Sequence, residues 1–483
     1  MSSDMAFRTG RLSGDAPRDV AEYTSSLGFD REIYREVLLI NAVHLKSLAR
    51  MGYLSPDALA RGLAALKEAY DKPLSLDDPR LEDVHMVVEG YLVTVVPEAG
   101  ENLALGKSRN DSVATAIRMR AKARMLELAD SALNLASRLL ERSFEEAETI
   151  YPATTHLQVA APATLGFILS SYASRLLYSL ESLIGVYASL DYCPQGSAAC
   201  CGSTLPMDRG WLASQLGFTH VLEHSLDASS SRDFVIDLLS LSLKLLVIAS
   251  DIAEWLIHDL TAGLLDIGDE FCSTSSIMPQ KRNPVVLEVI RTKASEALGE
   301  AVRASSIIQR RVGGYVLDLQ QVTPSIWRSL KEACSALEML ARVVETLRVD
   351  VDAALERCGL LAGMVELANY LTLQHGVGFR RAHRACGRLA RMLVEKRLTE
   401  EGLREALQAE GIDVALGLEE VYRVLDPRSI VASYATRGSA SPGEVRRMTD
   451  AMRRRMAELR EWVSENRRVL EGIVKRAFNP QVM

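Results

Sequence analysis

The run Ser273-Thr274-Ser275-Ser276-Ile277-Met278-Pro279-Gln280-Lys281-Arg282-Asn283-Pro284 gathers hydroxyls, two cations and an amide between long apolar segments. Its prolines hinder a regular helix, while Asn283 and Pro284 fit the N-cap and first position of a helix that follows. A loop of this kind could enclose a carboxylate-bearing ligand; a serine-rich connector would have the same composition. A serine hydroxyl is a poor base at neutral pH, so Ser275 would need a neighbouring base or a strongly cationic pocket. Lys281 and the adjacent helix N-terminus could provide the second. Other polar runs share this character: Glu82-Asp83-Val84-His85, Gly106-Lys107-Ser108-Arg109-Asn110-Asp111, Thr155-His156-Leu157-Gln158, and Pro194-Gln195-Gly196-Ser197 with Pro206-Met207-Asp208-Arg209. Arg109 and Arg232 could each bind a carboxylate through two parallel hydrogen bonds. Asn110 and Asp111 could cap the helix they precede. His156 could be solvent-exposed filler, and His85 a satisfied core imidazole.

The elements that must position these runs are helical. The 483 residues are 48% apolar and 6% aromatic, with 30 glycines, a mixture that favours helices and argues against disorder or an all-β fold. Lys107–Tyr151, Phe218–Ala262 and Ser325–Cys358 are nearly free of helix breakers, and Val285–Val312 has only Gly299. Within the second, Phe234, Leu238, Leu241, Leu245, Ile248, Ile252 and Trp255 recur at threes and fours along one face. The spacing predicts an all-α chain with a central bundle at 106–358, preceded by a mainly helical domain at 1–105 and followed by a small helical domain at 359–483. Arg446–Arg468 is basic, but Glu458, Glu461 and Glu465 interleave, so it reads as a solvated helix face. With a net charge of -7, nothing in the composition indicates a nucleic-acid partner. Neither a leader in Met1–Ser13 nor a membrane span is indicated, and Phe234–Leu265 is interrupted by charges. The seven cysteines lack metal-ligand spacing and read as reduced, mostly buried thiols of a cytoplasmic protein.

The serine-rich run resembles the signature loop of the fumarase and aspartase superfamily, departing at one constrained position, where Thr274 stands for glycine. Further runs are similar to those of argininosuccinate lyases. Gly106–Asp111 resembles their RSRND motif, with Lys107 for its first arginine; Thr155–Gln158 matches THLQ, and Glu82–His85 is similar to EDIH. Ala368-Asn369-Tyr370-Leu371 with Gly376-Val377-Gly378-Phe379-Arg380-Arg381-Ala382-His383 resembles a late family segment. The likeness runs from about Ser26 to Val445.

The resemblance implies a three-domain, largely helical fold and a cofactor-free, metal-free β-elimination of argininosuccinate to fumarate and arginine. It implies Ser275 as the base, Lys281 and Asn283 on the substrate carboxylate, and His156 assisting proton transfer, with Glu288 as its possible orienting partner. Ser26, Asp83, His85, Arg109, Asn110, Thr155, Arg232, Tyr315 and Gln320 are implied in substrate binding. It further implies a homotetramer whose sites draw on three subunits. Two departures bear on this. Thr323 replaces a substrate-binding lysine, and Thr274 could stiffen the loop by removing glycine's backbone freedom. The alternatives are another lyase of the superfamily, such as one acting on adenylosuccinate, and a non-catalytic homologue like the lens crystallins. His44, His220, His224, His258 and His375 match no motif and read as structural.

Overall fold

Ser108 fixes the start of a mostly buried helix of 37 residues. Its hydroxyl accepts the Asn110 N–H while the Asp111 carboxylate accepts the Ser108 N–H at 2.9 Å, a capping box that satisfies donors a helix N-terminus otherwise leaves bare. The computed structural model describes residues 16–309 and 312–480. Its main helices are α1 (Tyr34–Arg50), α2 (Val84–Val95), α3 (Arg109–Glu145), α4 (Leu165–Leu190), α5 (Asp233–Thr261), α6 (Val285–Ile308), α7 (Thr323–Glu345) and α8 (Pro442–Phe478). Strands among the described residues form four two-stranded pairs, so the all-α expectation is borne out.

The bundle is organised around α3, which packs on α4, α7, α8 and α1, while α5 packs on α6, α7 and α4. Small side chains let these helices approach: Ala114, Ala121, Ala129, Ala132 and Ala136 of α3 are all buried, interleaved with Leu128, Leu135 and Leu139. The α5 face holds as expected, with Phe234, Leu238, Leu241, Leu245, Ile248 and Ile252 buried and Trp255 half-buried against Tyr172. A second, separate core forms between the helices Met364–His375, Phe379–Val394, Glu400–Gln408 and Leu418–Leu425.

Several boundaries differ from the sequence expectation. Phe218–Ala262 is not one helix: His220–Val221 is a strand, Ser225–Ser230 a short helix, and the extended Ser231 breaks the path before α5. Ser325–Cys358 divides at the strand Arg348–Val349, which pairs with Leu265–Asp266 and forces a turn. The N-cap of α6 is Pro284 rather than Asn283, because Asn283 is held in a strand. Residues 310 and 311 of the Val285–Val312 stretch, and the N-terminal Met1–Ser13 stretch, lie outside the described residues. Two long helices, α4 and α8, were not singled out as bundle helices. The arginines of α8 are more than a solvated face, since Arg446, Arg455 and Arg467 pair with Glu148, Glu181 and Asp130 of the bundle. The opposite side of α8 buries Met456, Leu459, Val463 and Ile473 in the main core. Near its end, the Arg476 carbonyl accepts from Lys46 Nζ of α1 at 2.9 Å, and Phe478 meets the Tyr70 ring edge-on at 5.5 Å. All seven cysteines are free, but three are buried, three half-buried and Cys201 exposed, so "mostly buried" is corrected. No described helix is long and apolar enough to cross a membrane.

Leu245 sits fully buried on the inner face of α5. Leu245→Ala is expected to cost about 2–5 kcal/mol through lost transfer energy and a residual cavity. A lowered midpoint in denaturant, at unchanged helical circular dichroism, is the readout.

Candidate active site

Residues far apart in sequence converge on one cavity of about 470 Å³. Ser26, Asp83, His85, Arg109, Asn110, Arg232, Tyr315 and Gln320, eight residues singled out above, line it together with Asp30, Glu82, Ser108 and Thr323. The walls are joined by short polar contacts. Ser26 N–H donates to the Glu82 carbonyl at 2.8 Å, and Ser26 Oγ donates to Asp30 Oδ2 at 2.6 Å. The same Asp30 oxygen accepts the Val84 N–H at 3.2 Å. Asp83 caps α2 by accepting the Met86 N–H at 2.8 Å and binds Arg109 Nη1 at 2.9 Å.

Electrostatics inside the cavity follow from burial. Desolvation pushes Asp30 up to about 7, against the lowering effect of the Ser26 hydroxyl and Val84 N–H. Desolvation likewise pulls His85 down to about 4, so its imidazole is neutral at pH 7. His85 Nε2 is buried without a hydrogen-bond partner, a polar atom available to a ligand. The Arg232 side chain is almost fully enclosed, and its Nη1 donates to the Ser231 carbonyl at 2.8 Å. Arg109 is less free to take a substrate carboxylate than its type suggests, because Asp83 and Glu82 already engage it. Burial raises the Tyr315 hydroxyl, against the lowering effect of the Arg232 guanidinium. Thr323, at the start of α7, is buried in the cavity wall and brings no charge there.

The remaining predicted residues lie elsewhere on the chain. Thr155 and His156 are exposed at the tip of a hairpin of β1 (Ile150–Thr155) and β2 (Gln158–Thr164), whose two turn residues are His156 and Leu157. Both have positive φ, 55° and 60°. That turn suits the twist of the strands but is costly for residues other than glycine, and strain of this kind concentrates at functional sites. Ser275, Lys281, Asn283 and Glu288 lie on or beside a loop closed by β3 (Ser273–Thr274) and β4 (Arg282–Asn283). Arg282 ties that loop down through Asp266 at 2.6 Å and Asp269 at 2.8 Å. Ser275 Oγ accepts the N–H groups of Ile277 at 3.3 Å and Met278 at 3.2 Å. Lys281 is exposed, and no hydrogen bond among the described residues joins Glu288 to His156. Thr274 is extended within β3, a conformation open to any residue, so glycine is not required there.

The helix cap is likewise reassigned. Ser108 is the N-cap of α3, Asp111 is its capping-box partner, and Asn110 lies inside the first turn with its Nδ2 donating to the Ala199 carbonyl at 3.3 Å. Asp30 was missed; its signal was the four-residue interval from Ser26, which places both on one side of a helical turn.

A family model described as Lyase matches residues 10–299, and one described as Argininosuccinate lyase C-terminal matches residues 362–432. An argininosuccinate lyase of Methanoculleus marisnigri is 36% identical over 98% of this chain and 97% of its own length. The chain belongs to the argininosuccinate lyase family. A further relative of that name, from Methanothermobacter thermautotrophicus, is 34% identical over 93% of this chain and 98% of its own. Among solved structures, an EDDS lyase in complex with formate superposes with a TM-score of 0.86 at 22% identity, covering 98% of this chain and 96% of that one. A class II fumarase from Schistosoma mansoni gives 0.68 at 19% identity, over 84% and 94%. These two likenesses establish the fold: the family's helical lyase architecture.

The raised Asp30 has a stability consequence. The folded state binds this proton more tightly than the unfolded chain does, so stability falls as pH rises from the ordinary value of 3.8 through about 7. Asp30→Asn is expected to flatten the pH dependence of Tm across that window; a curve parallel to wild type would contradict the burial argument.

Proposed function

We propose that this chain is a carbon–nitrogen lyase that eliminates fumarate from argininosuccinate and releases arginine, a step of arginine biosynthesis in the cytoplasm. The observation carrying this reading is the convergence of the eight motif-matched residues, from Ser26 to Gln320, on one cavity. The reaction removes a carbon-bound proton beside a carboxylate and generates a dianion before the guanidinium nitrogen departs. Its barrier falls when fixed donors and cations face the developing charge.

Ser275 is the proposed base. Two backbone N–H groups, from Ile277 and Met278, already point at its oxygen. Such donors favour an alkoxide over a hydroxyl, which answers the difficulty that serine is a weak base. Lys281 and Asn283 of the same loop are assigned to the substrate carboxylate whose charge grows. His156 is assigned to proton transfer at the departing nitrogen, with Glu288 as its orienting partner. Ser26, Asn110, Tyr315 and Gln320 serve the arginine end from within the cavity, and Thr155 from the hairpin. His85, neutral and with an open Nε2, offers a hydrogen bond without adding charge.

Among the described residues, the lining of the cavity includes none of Thr155, His156, Ser275, Lys281, Asn283 and Glu288. A homotetramer whose subunits exchange these parts is therefore proposed. Val289, Leu298 and Val302 on α6 and Ile236 and Val247 on α5 are exposed, apolar surface of the kind that association covers. The chain is proposed to divide into units 1–105, 106–358 and 359–483, with the second hydrophobic core inside the last, while α8 of that last unit packs its inner face into the main core.

Ultraviolet absorbance of fumarate after addition of argininosuccinate, with adenylosuccinate in parallel, tests the reading. Turnover with argininosuccinate alone is expected, and a chain inert toward both would support the crystallin-like alternative. Ser275→Ala should lower turnover by about 10²- to 10⁴-fold without lowering Tm. Mixing and reassembling Ser275→Ala with His156→Asn protein should recover activity that neither variant has, since some mixed sites would carry both native residues. No recovery, with mixed oligomers verified, would refute shared sites.

A further inference from the structure

The loop between Pro194 and Leu205 carries two cysteines that the elimination does not use. Cys200 and Cys201 are neighbours in sequence, and their Sγ atoms lie 3.4 Å apart. Cys201 is exposed and Cys200 half-buried. The loop around them is tightly wound: Gly196, Ala198 and Gly202 all have positive φ, and the Gly202 N–H closes back on the Ser197 carbonyl at 3.1 Å. It is also joined to the cavity. The Ala199 carbonyl, which belongs to the peptide leading into Cys200, accepts from Asn110 Nδ2 at 3.3 Å. On its other side the loop touches the segment carrying Tyr315, for a Cβ placed on Gly314 would stand 3.8 Å from Cys200 Cβ.

We propose that Cys200 and Cys201 are a modification site, a vicinal dithiol that exchanges with small-molecule disulfides to close a Cys200–Cys201 bond and thereby displaces Asn110 from its binding position. The exchange is balanced. The exposed Cys201 thiolate attacks one sulfur of the small disulfide, forming a mixed disulfide and expelling one thiolate. The Cys200 thiolate then attacks Cys201 Sγ and expels the second. The two protein thiols are oxidised, the small disulfide is reduced to two thiols, and the two protons released by the protein end on them.

Adjacency dictates the properties of this bond. Neighbouring Cα atoms are about 3.8 Å apart across a trans peptide, shorter than the roughly 4.4 Å lower limit usual for disulfides. Closing the ring must therefore twist the local backbone, and the strained bond reopens readily with a thiol. The Ala199 carbonyl is one peptide away from that twist and cannot keep its place. The effect on turnover rests on the proposed role of Asn110 in binding substrate; formation of the bond does not.

The experiment treats reduced full-length protein with bis(2-hydroxyethyl) disulfide, maps the cysteines by mass spectrometry, and assays fumarate release before and after. The peptide holding Cys200 and Cys201 is expected to lose two hydrogens and gain no adduct. Turnover should fall by on the order of tenfold or more, as a misplaced binding group would cause, and dithiothreitol should restore both. A Cys200→Ser/Cys201→Ser variant should keep basal turnover and resist the treatment. A lasting mercaptoethanol adduct on Cys201, unchanged turnover after bond formation, or equal inhibition of the double variant would each overturn the proposal. If reduced protein releases no fumarate at all, the functional reading fails, whereas the mass result still decides whether the dithiol closes.

Discussion

One buried carboxylate, that of Asp111, ties the fold to the site. Its Oδ1 accepts the Ser108 N–H and starts α3, and its Oδ2 accepts the N–H groups of Gly196 and Ala198, each at 3.0 Å. Burial opposes the charge and pushes the group up to about 6, while the three N–H donors pull the other way. The same atoms thus begin the central helix, curl the 194–202 loop across its end, and set Asn110 facing the cavity. Left-handed backbone at Gly196 and Ala198 is the local cost of aiming their two N–H groups at one carboxylate oxygen.

The cavity next to this junction is lined by side chains of both signs of charge. Asp30, Glu82 and Asp83 line it together with Arg109 and Arg232, and Arg109 is already matched by Glu82 and Asp83. The groups assigned to chemistry sit instead on protruding pieces, the β1–β2 hairpin and the β3–β4 loop. A division of this kind sets the proposed binding pocket on helix ends and the side chains proposed for chemistry on two hairpins.

Much of the fold was legible in the residues, because the α5 stripe and the runs flanking α3, α6 and α7 follow the helical period directly. The boundaries were less so. Phe218–Arg232 contains no strong breaker, yet the pairing of Tyr192–Cys193 with His220–Val221 pulls it out of the helix, a tertiary contact invisible to a local window. α4 was overlooked although Leu165, Leu169, Leu176, Leu180 and Leu183 are buried in it, because Gly166 and Gly185 with interspersed serines obscure the stripe. Within the site, motif matching reached Ser26, Asn110, Tyr315 and Gln320. It missed Asp30, whose meaning depends on the Val84 amide 54 residues away. At Thr274 the backbone is extended where β3 pairs with β4, so glycine's freedom is not needed there.

The return of α8 to the first helix has a further effect, on the order in which the molecule can be made. Lys46 is synthesised 430 residues before the Arg476 carbonyl that accepts from it, and Tyr70 likewise long before the Phe478 ring. Contacts this distant in sequence form late, and the N-terminal helices keep apolar surface uncovered until α8 has emerged. Closure of the core is thereby tied to that sequence separation, and loss of the α8 turns carrying Arg476 and Phe478 would leave an unsealed seam beside Lys46 and Tyr70.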